Sequence, residues 1–315
     1  MSNSVLNAAH FQDEASAFEY VESRLWPSGP ICPFCGEKER IGRLSGKTTR
    51  PGLCKCYACL KPFTVRIGTI FESSHLPLHL WLQVIHLMCA SKKGISTRQV
   101  QRMLVCSMKT AWFLTHRIRE AMAPAAGSGP LGGLGKIVEA DEVFLTNSPK
   151  TKKHPSAGGY AHKIGILSLA ERGGRQRSIV LENPPSKPEI VENLRKHVSP
   201  ASTLHTDGAQ YYKYTLAVAA HQSVNHLKGE YARQENGISV NVNTLEGFFS
   251  VFKRGMVGTY QNVSAHHLHR YVAEFDFRQS TRERFGVDDS RRAEIALQGF
   301  VGKRLTYETT SRVRH

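Results

Sequence analysis

The stretch Asn243-Thr-Leu-Glu-Gly-Phe-Phe-Ser-Val-Phe-Lys253-Arg254 reads as a helix with two working faces. Leu245, Phe248, Phe249, Phe252 and, just beyond, Met256 recur at the helical period and form one wide apolar stripe. Glu246, Ser250 and Lys253 share another stripe. Glu246 and Lys253 lie two turns apart at nearly the same angle. Such a helix anchors itself in a core while presenting one carboxylate and one ammonium to a common site. That pairing suits phosphoryl-transfer chemistry, which needs an oxygen ligand for a hard cation and a positive group near a phosphate. A capping role competes for the same residues, because Asn243 and Glu246 also fit a capping box with Asn at the N-cap. The rest of the chain decides between the readings.

Acidic partners for Glu246 are found upstream. Lys136 to Phe144 reads as a strand containing Ile-Val-Glu139-Ala-Asp141-Glu142-Val-Phe. Glu139 and Asp141 point one way along it and Glu142 the other. Acids in an otherwise apolar strand are costly unless paired or bound to metal. Asp207 ends a short strand, Ser202 to Thr206, and Gly208 permits a sharp exit, although Asp-Gly is also an ordinary turn. Further strands are expected over Lys163 to Ala170, Arg177 to Glu182 and Ser223 to His226. Helices are expected over Lys187 to Val198 (Pro188 in its first turn), Ala209 to Ala220, and Ser264 to about Arg278. Three antiparallel strands followed by alternating helices and strands predict a mixed α/β sheet of ribonuclease H-like topology, flanked by helices. With the first and fourth strands parallel neighbours, Asp141 and Asp207 meet and Glu246 faces them. Three such carboxylates can hold two Mg²⁺ (or Mn²⁺) ions, and Lys253 can neutralise a nearby phosphate oxygen. His205, His226 and the His266-His267-Leu-His269 run read as DNA contacts or structural groups rather than ligands, since Mg²⁺ favours oxygen.

Composition narrows the class. The 315 residues include 42 Lys plus Arg against 26 Asp plus Glu, a formal net charge of +16. A folded chain this basic points to a polyanion such as nucleic acid. No run of 18 apolar residues is present, so no membrane partner is expected. The first residues lack a basic start followed by an apolar block, so no secretory signal is expected.

Four of the seven cysteines form two Cys-x-x-Cys pairs, Cys32/Cys35 and Cys56/Cys59. Two tight turns that each supply two thiolates suit tetrahedral Zn²⁺. Cys54, Cys89 and Cys106 are left over, which suits a reducing, cytoplasmic setting. A helix from Asp13 to Arg24 precedes this ribbon, and another begins near Pro77. Ser96 to Leu104 and Met108 to Met122 then form two helices separated by Val105-Cys-Ser107, with Ser96 and Ser107 as N-caps. Seven basic residues and one acid between Ser91 and Met122 suggest a helix-turn-helix. Its second helix would meet duplex DNA through Lys109, Arg117 and Arg119. Residues 123–135, rich in Ala, Gly and Pro, read as a flexible linker. The expected organisation is an N-terminal helix and zinc ribbon over 1–75, the helix-turn-helix over 76–125, the catalytic domain over 136–285 and a tail over 286–315.

Taken in order, these motifs resemble bacterial insertion-sequence transposases of the DDE class that carry an N-terminal zinc ribbon, the ISXO2-like family. The matching segments are Cys32-Pro-Phe-Cys35-Gly, Cys56-x-x-Cys59, Phe63-Thr-Val-Arg-Ile-Gly-Thr-Ile-Phe71, Gly94-Ile-Ser, Ala111-Trp-Phe with His116-Arg-Ile-Arg119, and Val138-Glu-Ala-Asp141-Glu. They continue with Thr206-Asp207, Val224-Asn-His226, Gly229-Glu-Tyr231, Asn243-Thr-Leu-Glu246-Gly-Phe-Phe, Lys253-Arg-Gly and His267 to Arg278. The resemblance implies a metal-binding triad of Asp141, Asp207 and Glu246 with Lys253 as the associated basic residue. It implies binding to terminal inverted repeats and target DNA as a homo-oligomer, with cleavage and strand transfer, at the bacterial nucleoid. Some relatives carry Asn at the third acidic position, and Glu246 stands there in this chain. The chain departs from the pattern at Val143-Phe-Leu-Thr-Asn147, where a glycine-containing segment is expected, and at Gly208-Ala-Gln210, where another acid is frequent. The rival readings are a catalytically idle DNA-binding relative and a ribonuclease H-like nuclease.

Overall fold

A computed structural model describes residues 4–125, 127–146, 163–182, 186–209, 212, 218–303 and 305. The chain divides into two compact units. The first comprises Met1–Ser91, Ile95–Ala123 and Asp288–His315; the second comprises Lys92–Gly94 and Pro124–Val287.

In the first unit, α1 (Glu14–Leu25) starts where the Asp13 carboxylate accepts the Ser16 N–H. The ribbon follows as three antiparallel strands in sequence order: β1 (Ile41–Arg43), β2 (Cys54–Cys56) and β3 (Pro62–Phe63). Next come α2 (Leu78–Ala90), α3 (Thr97–Leu104) and α4 (Met108–Met122). Ser96 and Ser107 cap α3 and α4, accepting the N–H groups of Gln99 and Thr110 at 3.2 and 3.0 Å. The sequence left residues 286–315 as a tail. The structure instead places α8 (Asp289–Gln298) against α1 and α2. Arg24 reaches Glu294 at 2.8 Å, and Arg292 donates to the Cys89 carbonyl at 3.0 Å.

The second unit is a five-stranded mixed sheet: β4 (Ile137–Thr146), β5 (Lys163–Glu171), β6 (Gln176–Val180), β7 (Thr203–Thr206) and β8 (Ala220–Ser223). The spatial order is β6-β5-β4-β7-β8. The pairs β6-β5 and β5-β4 are antiparallel, while β4-β7 and β7-β8 are parallel. This is the ribonuclease H-like arrangement expected from the sequence. Alternation along β4 gives the sheet two apolar faces. Val138 and Ala140 pack with Ile190 and Leu194 of α5 (Lys187–His197). Val143, on the other face, packs with α6 (Asn243–Gly255) and α7 (Leu268–Ser280). All five apolar stripe residues, Leu245 to Met256, are buried in that layer. Gly255 lets the helices approach, since a Cβ there would stand 2.5 Å from the Phe275 ring.

Three local expectations change. Residues 128–131 are not a free linker: Leu131 is buried, and Arg177 donates to the carbonyls of Ser128 and Gly129. A small hairpin, β9 (Arg233–Glu235) and β10 (Ile238–Val240), precedes α6 and was not anticipated. Most of the helix expected over Ala209 to Ala220 lies outside the described residues, and Ala220 itself opens β8.

Candidate active site and metal centre

Four thiols converge in the ribbon. Cys32 Sγ lies 3.6 Å from Cys59 Sγ, and Cys35 Sγ lies 3.7 Å from Cys56 Sγ. All four lie within 4.8 Å of one another. A Zn²⁺ ion bonded to four sulfurs at about 2.3 Å requires sulfur–sulfur edges of about 3.8 Å, so the quartet fits that ion. Cys54, although on the same strand as Cys56, is not in the quartet. It is buried, and burial pushes its thiol pKa up.

The acids gather at one edge of the second unit. The β4–β7 register pairs Glu139 with His205 and Ala140 with Thr206. One residue further on in the same parallel register come Asp141, midway along β4, and Asp207, just past the end of β7. The Asp207 carboxylate accepts the Ala209 N–H at 3.1 Å, which turns the chain out of the sheet. Asp141 is half-buried and points to the α6 face. Burial, reinforced by the charges of Glu142, Asp207 and Glu246, pushes its pKa up to about 8, against a hydrogen bond from the Glu142 N–H. Glu246 is exposed in the first turn of α6, with Oε1 3.7 Å from His226 Nε2. Lys253 is exposed two turns further along.

Burial, with the neighbouring carboxylates, disfavours the charge on Asp141, and the donors around it are all oxygens, the type a hard divalent cation takes. Among the described residues, only the cysteine quartet brings three or more ligand groups within 4.8 Å of one another. The three carboxylates are therefore spread more widely than that.

The capping box expected at Asn243 and Glu246 is absent. Helix α6 begins at Asn243 itself, and Val242 occupies the N-cap without a side-chain bond. The cap comes from β4. Glu139, wholly buried, accepts the N–H groups of Thr244 and Leu245 at 2.9 and 3.4 Å and the Thr244 hydroxyl at 3.0 Å. Arg172 neutralises it at 2.7 Å and also donates to the carbonyls of Ser239 and Asn241. Glu139 thus fixes the helix that carries Glu246, and Glu246 is left without a capping role. The sequence flagged Glu139 as a buried acid but could not name its partner, which lies 33 residues away. Glu142, on the opposite face, accepts the Tyr212 hydroxyl. His205 is wholly buried, and burial, helped by the Arg172 charge, lowers its pKa to about 4. It is a neutral core group and not a DNA contact.

The expected contacts on α4 separate. Lys109 is exposed in the first turn. Arg117 and Arg119 are only 3% and 0% exposed and cannot reach a groove from this fold. Arg117 donates to the Glu72 carbonyl at 2.6 Å and packs on the Phe113 and Trp81 rings. The second half of α4 is enclosed on nearly every side, so a basic sequence does not make a basic surface there.

A four-cysteine ribbon thus precedes a ribonuclease H-like mixed sheet that carries acids along its central strand and just past β7. Residues 130–280 match the family described as "ISXO2-like transposase domain", and residues 12–61 match "Transposase zinc-ribbon domain". The chain thus carries an ISXO2-like transposase domain preceded by a transposase zinc-ribbon domain. It is also 27% identical over 292 residues to an "Uncharacterized protein in transposable element ISH50" of Halobacterium salinarum, an alignment covering 88% of this chain and 95% of that protein.

Proposed function

We propose that the chain is an active transposase that binds the terminal inverted repeats of its element, cleaves DNA phosphodiesters at the ends and joins the freed 3′-hydroxyls to target DNA. The observation supporting this reading is the parallel β4–β7 pairing, which sets Asp141 of the central strand within electrostatic reach of Asp207, just past β7, and of Glu246 on the helix capped from β4. Asp141, Asp207 and Glu246 would hold two Mg²⁺ or Mn²⁺ ions, which when bound supply activation of the attacking oxygen and stabilisation of the leaving one. Lys253 would sit against a neighbouring phosphate. Duplex contacts would run through Lys109 and through Arg98 and Arg102 on the exposed side of α3, the two helices acting as a helix-turn-helix. The protein would act as a homo-oligomer that holds both element ends.

Asp141→Ala is expected to abolish Mg²⁺-dependent nicking of a duplex containing an element end while leaving repeat binding within about twofold in a gel-shift assay. Preserved nicking would refute the site. Nicking without strand joining in the unmodified protein would indicate a nuclease instead.

A further inference from the structure

The outer face of the ribbon sheet is not used by zinc. Side chains alternate along β1 and β2, so Ile41 and Cys56, which pair with each other, turn to one side. Gly42, Lys55 and Tyr57 turn to the other, with Arg40 opposite Tyr57. Tyr57 is 47% exposed, and its ring lies over Gly42. A Cβ at residue 42 would stand 2.9 Å from Tyr57 Cε2 and 3.1 Å from its hydroxyl oxygen, a separation real Cβ atoms hardly show. A glycine inside a strand weakens it, so leaving out a side chain here has a use only if the ring must sit there. The backbone of Tyr57 is held from both sides: its N–H donates to the Arg40 carbonyl at 2.8 Å, and the Arg40 guanidinium donates to its carbonyl at 3.4 Å. Lys55 Nζ lies 5.8 Å from the ring centroid. The result is a seated, half-exposed aromatic ring with the Lys55 ammonium over it and the Arg40 guanidinium at its backbone carbonyl.

We infer that this face stacks an unpaired nucleobase of DNA on Tyr57, with Arg40 and Lys55 taking the flanking phosphates. A base presents a π-face whatever its identity, and an aromatic ring bordered by cations is the platform that single-stranded nucleic acid uses. Bases inside a duplex are already stacked, so the ligand is a single strand or a frayed end. Arg40 and Lys55 are the side chains that reach Tyr57, with Leu44 and Leu53 further along the same face, and the two cations favour a polyanion over an apolar partner. The site lies in the ribbon, apart from the carboxylates, and goes beyond the duplex contacts proposed above.

The test uses the full-length, zinc-loaded chain carrying Asp141→Asn, so that cleavage plays no part. Anisotropy is read on a labelled single-stranded oligonucleotide and on a blunt duplex of the same sequence. Tyr57→Ala is expected to weaken single-strand binding about tenfold and duplex binding less than about twofold, while Tyr57→Phe binds like the parent. Gly42→Val, a strand-favouring change that fills the seat of the ring, should reproduce the loss at unchanged zinc content. In the parent, ultraviolet cross-linking of a bromodeoxyuridine-containing single strand should map to Tyr57. Unchanged single-strand affinity in Tyr57→Ala, an equal loss for both ligands, or a cross-link map empty across the ribbon would each overturn the assignment.

Discussion

Glu139 and Arg172 show how a buried carboxylate and a partly exposed guanidinium together brace a helix. Glu139 has no exposed surface, and Arg172 is the cation that neutralises it while also holding the loop before α6 through two carbonyls. Removing one partner of such a pair leaves an uncompensated buried charge. Arg172→Ala is therefore expected to cost roughly 3 kcal/mol in urea unfolding, and to reduce nicking further by loosening the helix that carries Glu246. A loss within about 0.5 kcal/mol would contradict the pairing. Asp276 in α7 carries a second buried charge. It accepts from Gln176 Nε2 at 2.9 Å and from the Ser178 N–H and hydroxyl at 2.6 and 2.7 Å. Burial nonetheless pushes its pKa from 3.8 up to about 6. Its folded pKa lies above the unfolded one, so its contribution is fully favourable below about pH 4, declines as pH rises through about 6 and levels off above. The difference reaches up to about 3 kcal/mol. Unfolding free energy measured from pH 4.5 to 7 should fall through this window, and the fall should be shallower in Asp276→Asn. Equal slopes in the two proteins would remove Asp276 as the cause.

At the scale of elements, the parts legible in the sequence are those whose pattern is local. The β4 and β5 strands, the Ser186–Lys187–Pro188 start of α5 and the apolar stripe of α6 each carry their own period or cap, and the structure follows them within a few residues. What the sequence concealed is held by distant partners. The β9-β10 hairpin has only three residues in each strand, too few to show alternation. Helix α8 buries little beyond Ala293, Ala296 and Leu297, and its register is set by Arg24 and Cys89 far upstream. The cap of α6 comes from a strand more than one hundred residues earlier. The burial of Arg117 was invisible for the same reason: the Glu72 carbonyl and the Trp81 ring, distant in sequence, join Phe113 of its own helix in enclosing the guanidinium, and Arg119, further along α4, is buried as well. The ribbon is the opposite case, since its two Cys-x-x-Cys turns name both ligands and fold. Its strands are two or three residues long, so metal binding must supply most of its folding energy. Chelation of the metal, or Cys56→Ser, is expected to expose Trp26, which packs on Phe63 at 5.8 Å, and to shift its fluorescence to the red. The same treatment should leave the melting of the mixed sheet unchanged. An unshifted Trp signal in the metal-free protein would mean that the ribbon stands without zinc.

For the whole molecule, a net charge of +16 on 315 residues suits a polyanionic partner, and Asp141 lies within electrostatic reach of Glu142, Asp207 and Glu246. The alternation of β4 divides the labour of its acids: Glu139 braces, Asp141 faces the site and Glu142 bonds to Tyr212 on the far side. What most directly tests the shared-cation claim is Mn²⁺ binding, counted by electron paramagnetic resonance on the zinc-loaded chain and on Asp141→Asn, Asp207→Asn and Glu246→Gln. The account predicts that the parent binds Mn²⁺ and that each substitution removes or sharply weakens that binding at unchanged zinc content. Mn²⁺ binding equal to the parent's in all three variants would contradict it.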